Sequence, residues 1–263
     1  MTPSAVLSQY VDTVPSARNA IDAVSGWHQT LAASADVVAG TGIGYADIRM
    51  SWCLEQFGPI TGLKVLELGP LEGMQTYLLD QANPELIHAV EANRLSFLRC
   101  LVTKELLGIK RARFLHGNFV PWLEQVDVTY DLIIASGVLY HMRDPVRLLE
   151  LIAQRSNAIY IWTHYFSDAA MPQSDPRRSV FRGDAELVDF RGVRVALHRR
   201  SYHGAWRSTA YCGGIVDQHY WMEREGIEAV LRQLGFADIR TAHDQHDQAN
   251  GPCISIFARR AGA

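Results

Sequence analysis

Cysteine is scarce in this 263-residue chain, and the four present, Cys53, Cys100, Cys212 and Cys253, show no C-x-x-C spacing. That argues against a disulfide-stapled scaffold or a zinc ribbon, and the apolar surroundings of Cys100 and Cys253 predict buried thiols. The ten histidines include no H-x-x-x-H pair, and HDQHD at 243–247 reads as a solvated loop, so no metal site is expected. No uncharged apolar run reaches 18 residues, and the N-terminal MTPSAVLSQYVDTVPSARNA lacks both a basic start and an unbroken apolar core. A cytoplasmic protein without membrane association is therefore expected. Repeats and low-complexity tracts are absent, and a net charge of −3 gives no overall basic character for a polyanion.

What is present is a regular alternation. Apolar strands are expected at 63–68, 86–91, 112–116, 131–135 and 158–163, with helices at 73–81, 95–107 and 145–154 between them. Asp144 before Pro145 starts the last of these helices, because proline needs no amide partner at a first turn and aspartate caps the amides that do. Near the C-terminus an amphipathic helix, MEREGIEAVLRQLGF, precedes two strands, ADIRTA and CISIFAR. Strand–helix alternation at this period predicts a doubly wound, mostly parallel sheet with helices on both faces. Two helices, 16–33 and 45–57, are expected ahead of the sheet. The link between them, AGTGIGYADIR, carries three glycines in five positions and suggests a lid with Tyr45 and Arg49 as its working side chains.

The most telling stretch is KVLELGPLEG at 64–73, where an apolar strand runs into Gly69 and Gly73, followed by ELIHAV and the acidic Glu91. Glycines let backbone amides approach a ligand, and a carboxylate at the next strand tip can accept both hydroxyls of a ribose. The turn is not the G-x-G-x-x-G of dinucleotide domains, and Glu72 inside it would repel a diphosphate while suiting a cationic amino group. A nucleoside ending in an amino acid fits these residues better than NAD. Two further segments follow in order: RARFLHGNFVPW sets Asn118 and Phe119 after the third strand, and YDLIIASGVLYHMRDP sets Ser136 and Gly137 at the tip of the fourth.

Over residues 60–154 this succession resembles the class I S-adenosylmethionine-dependent methyltransferases. The resemblance implies a seven-stranded Rossmann-like sheet ending in an antiparallel pair, and S-adenosylmethionine as cofactor. It places Asn118 at the adenine amino group, the backbone around Phe119 at the ring edge, and Ser136 and Gly137 beside the methionine part. Glu67, Gly69, Glu72, Gly73, Glu91, Ala92 and Arg49 complete the expected cofactor site. Aspartate is commoner than asparagine at the Asn118 position, but an amide carbonyl can serve the same donor.

On this reading residues 1–59 are an added helical layer and 60–263 the catalytic domain, with 164–221 as an insert of β-hairpins after strand five. Such an insert rises from the carboxyl ends of the strands, where these folds bind ligands, and would cap the substrate. Residues 171–210 hold eight arginines against four acidic residues, so Arg182, Arg199, Arg200 and Arg207 could receive an anionic acceptor. Tyr165 and Tyr220 join Arg199 and Arg200 as expected substrate contacts. Trp206, Tyr211 and Trp221 fit either the cap's core or substrate walls. For a proton acceptor, imidazole has the only unperturbed side-chain pKa near neutrality. His164 leads as it leaves a buried strand at the active face, ahead of His219 oriented by Asp217, and His141.

A small, anionic, methylated metabolite is the expected acceptor, and a homodimer is possible. Two alternatives stand beside it. GVLYHMRDP is similar to the matching segment of enzymes that carboxymethylate wobble uridine of transfer RNA, which would make the basic insert an RNA surface, although the acidic net charge opposes nucleic acid. A non-catalytic cofactor-binding protein is the other, but neither Gly69 nor Glu91 is missing.

Overall fold

A computed structural model describes residues 9–31, 37–208 and 211–262. Seven strands, β3 (Lys64–Leu68), β4 (Leu86–Glu91), β5 (Ala112–His116), β6 (Leu132–Ser136), β7 (Ala158–His164), β11 (Phe236–Gln245) and β12 (Cys253–Arg260), form one sheet. Their order is β11-β12-β7-β6-β3-β4-β5. The five strands from β3 to β7 run parallel, and β12 is antiparallel to both β7 and β11. This is the expected doubly wound sheet with its final antiparallel pair.

Both faces of the sheet are covered, which is why its central strands read as unbroken apolar runs. Leu66, Ile133, Ile159 and Ile161 point to one side, against α6 (Pro145–Ala153) and α7 (Arg224–Gln233). Val65, Ile134 and Tyr160 point to the other, against α2 (Ile48–Phe57) and α3 (Met74–Gln81). Asp144 caps α6 through Arg147 N, with Pro145 at its first turn, and Asn93 caps α4 (Arg94–Leu107) through the amides of Leu95 and Ser96.

The N-terminal layer differs from expectation. Helix α1 (Ala17–Asp22) stops well short of residue 33, the end of which lies outside the described residues. After Gly26 turns the chain with φ 80°, β1 (Gln29–Thr30) pairs in parallel with β2 (Gly42–Ile43). The second helix begins at Ile48, capped by Asp47, and Tyr45 sits in a 3₁₀ turn packed near Ile21, Leu31 and Met74. The glycines of the link serve close packing more than freedom of movement: a Cβ on Gly40 would lie 2.3 Å from the backbone of His28, and one on Gly44 2.6 Å from the Gln29 side chain.

The insert after β7 is a second, three-stranded antiparallel sheet in the order β10-β9-β8. A two-residue turn, Arg191–Gly192, with φ positive at both positions, joins β8 (Glu186–Phe190) to β9 (Val193–Ser201). Val195, Leu197 and Met222, the last from β10 (Gln218–Met222), bury one face in the main core beside Ile227 and Leu231. The other face carries His198, Arg200, His219 and Trp221, since β9 and β10 pair Arg200 with His219 and His198 with Trp221.

Candidate active site

A cleft of ≈ 1020 Å³ opens at the carboxyl ends of β3, β4 and β6. Its floor is the turn after β3. There Gly69 has φ +66°, and a Cβ at that position would meet Val138 Cγ1 at 2.7 Å. Leu71 is also left-handed, at φ 56°, a conformation that costs a branched or bulky residue about 1–2 kcal/mol. Its amide is held by Glu91, whose Oε2 accepts from Leu71 N at 3.1 Å while Oε1 accepts from Asn93 N at 2.7 Å. Burial raises the Glu91 pKa, and the backbone amides around it, those of Asn93, Leu71 and Ala92, oppose that rise. Each carboxylate oxygen keeps a lone pair for a further donor.

Asn118 lines the same cleft and caps α5 (Phe119–Gln125), its Oδ1 accepting from Val120 N at 2.9 Å. Ala92, Phe119, Ser136 and Gly137 also line it, as does Arg49. Arg49 is part of a network that sequence reading missed. Its guanidinium meets Asp47 at 2.8 Å and 2.7 Å and lies 4.4 Å over the Trp162 ring. Gln75 donates to Asp47 at 2.7 Å and to Ser136 Oγ at 3.1 Å, which ties α3, the N-terminal layer and β6 together. Burial alone would raise the Asp47 pKa, but the Arg49 and Gln75 bonds outweigh it and hold the carboxyl below its ordinary value.

Three expected cofactor residues stand outside the cleft lining. Gly73 is the left-handed cap of α3, where a Cβ would press on Phe114 at 3.2 Å. Glu67 is buried, with Thr76 donating to Oε2 at 2.5 Å and Oε1 unpartnered, and burial pushes its pKa up to about 7. Glu72 requires a correction. Its carboxylate does not face the cleft but accepts from the amides of His28 at 2.7 Å and Gln29 at 2.8 Å, with Arg99 at 3.4 Å. It anchors the N-terminal segment, which in turn brings Gln29 to the cleft wall.

The proton-acceptor candidates are reordered. His164, buried, donates from Nδ1 toward Gly251 O at 2.9 Å and stacks on Trp221 with centroids 5.0 Å apart. It stands behind the cleft wall. His219 is fully buried, and its partner at Nδ1 is the Asp217 backbone carbonyl at 3.1 Å. The Asp217 carboxylate does not orient the ring, because it accepts instead from Ser201 Oγ at 2.9 Å and Tyr202 N at 2.9 Å. His141 and Asp217 line the cleft, and His141 Nδ1 meets the Tyr202 hydroxyl. Burial lowers all three imidazoles, His141 to about 3 and His164 and His219 to about 4. Neighbouring positive potential, with Arg200 contributing at each, adds to the burial.

None of the four expected substrate residues lines the cleft. Tyr165 is buried and donates to Asp244 at 2.7 Å, and Tyr220 donates to Glu186 at 2.8 Å. Arg199 lies beside Gly183, and Arg200 sits behind the wall over Trp221. The insert instead offers Trp206, Tyr211, Ile215 and Val216 to the lining, which also includes Tyr140 from the 3₁₀ turn after β6 and Trp162 of β7. Strand-tip aromatics are visible in sequence, but which face of an insert turns inward is a tertiary outcome.

No family model matches the chain, and no curated protein matches it. Solved structures do. The N-terminal domain of EvdMO1, solved in the presence of SAH and D-fucose, superposes with a TM-score of 0.67 at 21% identity, over 99% of this chain and 97% of that one. This chain has the class I S-adenosylmethionine-dependent methyltransferase fold. The match to full-length EvdMO1 covers 83% of this chain and only 42% of that protein, with a TM-score of 0.53. Magnesium protoporphyrin IX methyltransferase from Synechocystis PCC 6803, solved with bound SAM, matches at 17% identity and a TM-score of 0.52, over 82% of this chain and 77% of that one. Among the described residues no helix is long and apolar enough to cross a membrane.

Proposed function

We propose that this chain transfers a methyl group from S-adenosylmethionine to an oxygen or nitrogen of a small molecule held in the cleft. The observation that carries the reading is Glu91, a buried carboxylate held by two backbone amides at the tip of β4, facing the cleft beside the Gly69 turn. The residues fit the cofactor. Gly69 lacks the Cβ that would fill the turn, Glu91 retains lone pairs for two ribose hydroxyls, and Asn118 and Phe119 stand where an adenine would lie. The volume of ≈ 1020 Å³ exceeds what one nucleoside-sized ligand needs and leaves room for an acceptor. The EvdMO1 domain and the protoporphyrin methyltransferase, crystallised with SAH or SAM, support the same cofactor.

Bound there, S-adenosylmethionine would supply an electrophilic methyl group on a sulfonium sulfur. This chain's own part is position and dryness. Tyr140, Trp162, Trp206 and Tyr211 all line the cleft, so an acceptor held against these rings would be restricted in orientation and partly desolvated. His141 is the one candidate imidazole at the cleft, and its depressed pKa makes it neutral, but a weak proton acceptor. Orientation therefore carries more of the rate than proton transfer. Incubating the protein with methyl-labelled cofactor and a ribonuclease-treated, protein-free extract tests the reading. Label should enter low-molecular-weight material. Label that enters only RNA, in a parallel extract not treated with ribonuclease, or no transfer despite cofactor binding, would refute it.

A further inference from the structure

On the inner face of the insert sheet, a cationic group and two buried donors stand without an acceptor. Among the described residues Arg200 has no carboxylate within ion-pair distance, and its side chain meets one polar partner, His219 Nε2, at 3.4 Å from Nη1. Its Nε is shut off from water with no partner, and so is Nε1 of Trp221, a residue only 1% exposed. The two groups are neighbours, with Arg200 Cζ 5.0 Å from the Trp221 ring centroid. The nearby carboxylates are engaged elsewhere, Glu223 with His198 Nε2 at 2.9 Å and Asp217 with Ser201 Oγ at 2.9 Å, and the rings in contact are uncharged. Tyr140 stands 6.0 Å from Trp221 between ring centroids, His164 stacks on the same indole, and Tyr202 stacks on His219 at 4.0 Å.

Arg200 is half-buried, and withdrawing even part of a guanidinium from water without a counter-charge is unfavourable, while buried N–H groups such as its Nε are nearly always paired. Burial accordingly lowers the Arg200 pKa, and the same positive potential helps keep His141, His164 and His219 neutral. A side-chain cluster rich in donors, poor in acceptors and carrying one positive charge lacks a singly charged anion. The edge formed by Nε–H and a terminal N–H matches the two oxygens of a carboxylate, and Trp221 Nε1–H can supply a third bond. Phosphate, with a second charge and no second cation beside it, fits less well. Tyr140 is the partition: it lines the cleft, its ring contacts His164 and Trp221 of the cluster, and its hydroxyl has no hydrogen-bond partner among the described residues.

We propose that Arg200 and Trp221 form an inner subsite that binds a carboxylate of the methyl acceptor, reached from the cleft when the Tyr140 side chain turns aside. This rests on the reading of the cleft as a methyltransferase site and names the substrate class as carboxylic acids carrying a methylatable hydroxyl or amine. It also gives Arg200 a different place from the one expected of a surface arginine. The residue is an anchor behind the wall.

The test follows the indole N–H resonance of Trp221, assigned by Trp221→Phe, in nitrogen-15-labelled full-length protein. Sodium acetate and sodium benzoate are titrated, with benzamide and inorganic phosphate as controls. At least one carboxylate should shift this resonance downfield saturably, the controls should not, and Arg200→Met should weaken the interaction by about tenfold or more. No saturable shift with either carboxylate, an equal shift with benzamide, or unchanged affinity in Arg200→Met would overturn the subsite. The wild-type titration decides the matter even if the variant fails to fold. Binding of S-adenosylhomocysteine is measured separately by calorimetry, so that loss of the cofactor reading and loss of the subsite are told apart.

Discussion

At the scale of single residues, the turn after β3 is the most constrained point of the molecule. Gly69→Val would force a β-branched side chain into a left-handed backbone and set a Cβ 2.7 Å from Val138 Cγ1. Cofactor affinity should fall by more than about tenfold, read by calorimetry, with the fold retained. Affinity equal to wild type would mean that the turn does not meet the cofactor. His164 presents a contrasting case: its ring packs on Trp221 and its Nδ1–H serves Gly251 O, so its role is structural. His164→Phe should leave the carbonyl acceptors of Gly251 and Pro252 without that donor and destabilise the fold by about 1–3 kcal/mol. Its effect on turnover should be small, and a large loss of kcat with unchanged thermal stability would restore it as a base. For the same reason the transfer rate should show no histidine inflection between about pH 6 and 8, because His141 at the cleft and His164 and His219 outside its lining are already neutral there. An inflection near pH 7 abolished by His141→Ala would contradict this.

At the scale of elements, the sheet and its helices were legible in the sequence and the N-terminal layer was not. The central strands announce themselves as apolar runs, and α6 by its Asp144–Pro145 start, because each element's own residues decide it. Residues 16–33 carry helix-compatible residues, yet among the described residues of that span only Ala17–Asp22 is helical, since Glu72, over forty positions away in the chain, takes the amides of His28 and Gln29. No local pattern reveals such a partner. Glu91, Asn118 and Gly69 were legible for the converse reason: a strand tip fixes where its next residues point. Asp217 and His219 were misread because alternation places both on β10's side of the insert without saying which atom of Asp217 faces the ring. Glu72→Ala should leave two backbone amides without their acceptor and remove the carboxylate beside buried Arg99, a loss of about 3–5 kcal/mol. Limited proteolysis should then cut ahead of Ile48. Resistance equal to wild type would show that the segment is held without Glu72.

For the whole molecule, acid should destabilise. Burial lowers the pKa of His88, His141, His164, His198 and His219 below the unfolded value, so each takes up a proton on unfolding below about pH 6.5. Glu67 and Glu91, raised by burial, act in the opposite sense, since the folded state holds their protons longer. Five histidines outnumber two carboxylates, and stability rises with pH over this window. The melting temperature should fall as pH drops from about 6.5 toward 5, and a flat profile would contradict the burial of these rings. The same organisation brings the strand tips of the main sheet, the N-terminal segment and the loop between β9 and β10 to the cleft.

The claim on which the rest depends is that this cleft holds S-adenosylmethionine through Glu91. Isothermal titration of S-adenosylmethionine into the wild-type protein and into Glu91→Gln and Glu91→Ala tests it most directly. Glu91→Gln keeps an acceptor for one backbone amide, so it preserves more of the turn than alanine does. Single-site binding to wild type, weakened by at least about tenfold in both variants with their thermal transitions intact, is the predicted result, because charge-assisted bonds to two hydroxyls are lost. No binding to wild type, or undiminished affinity in a folded Glu91 variant, would contradict the account.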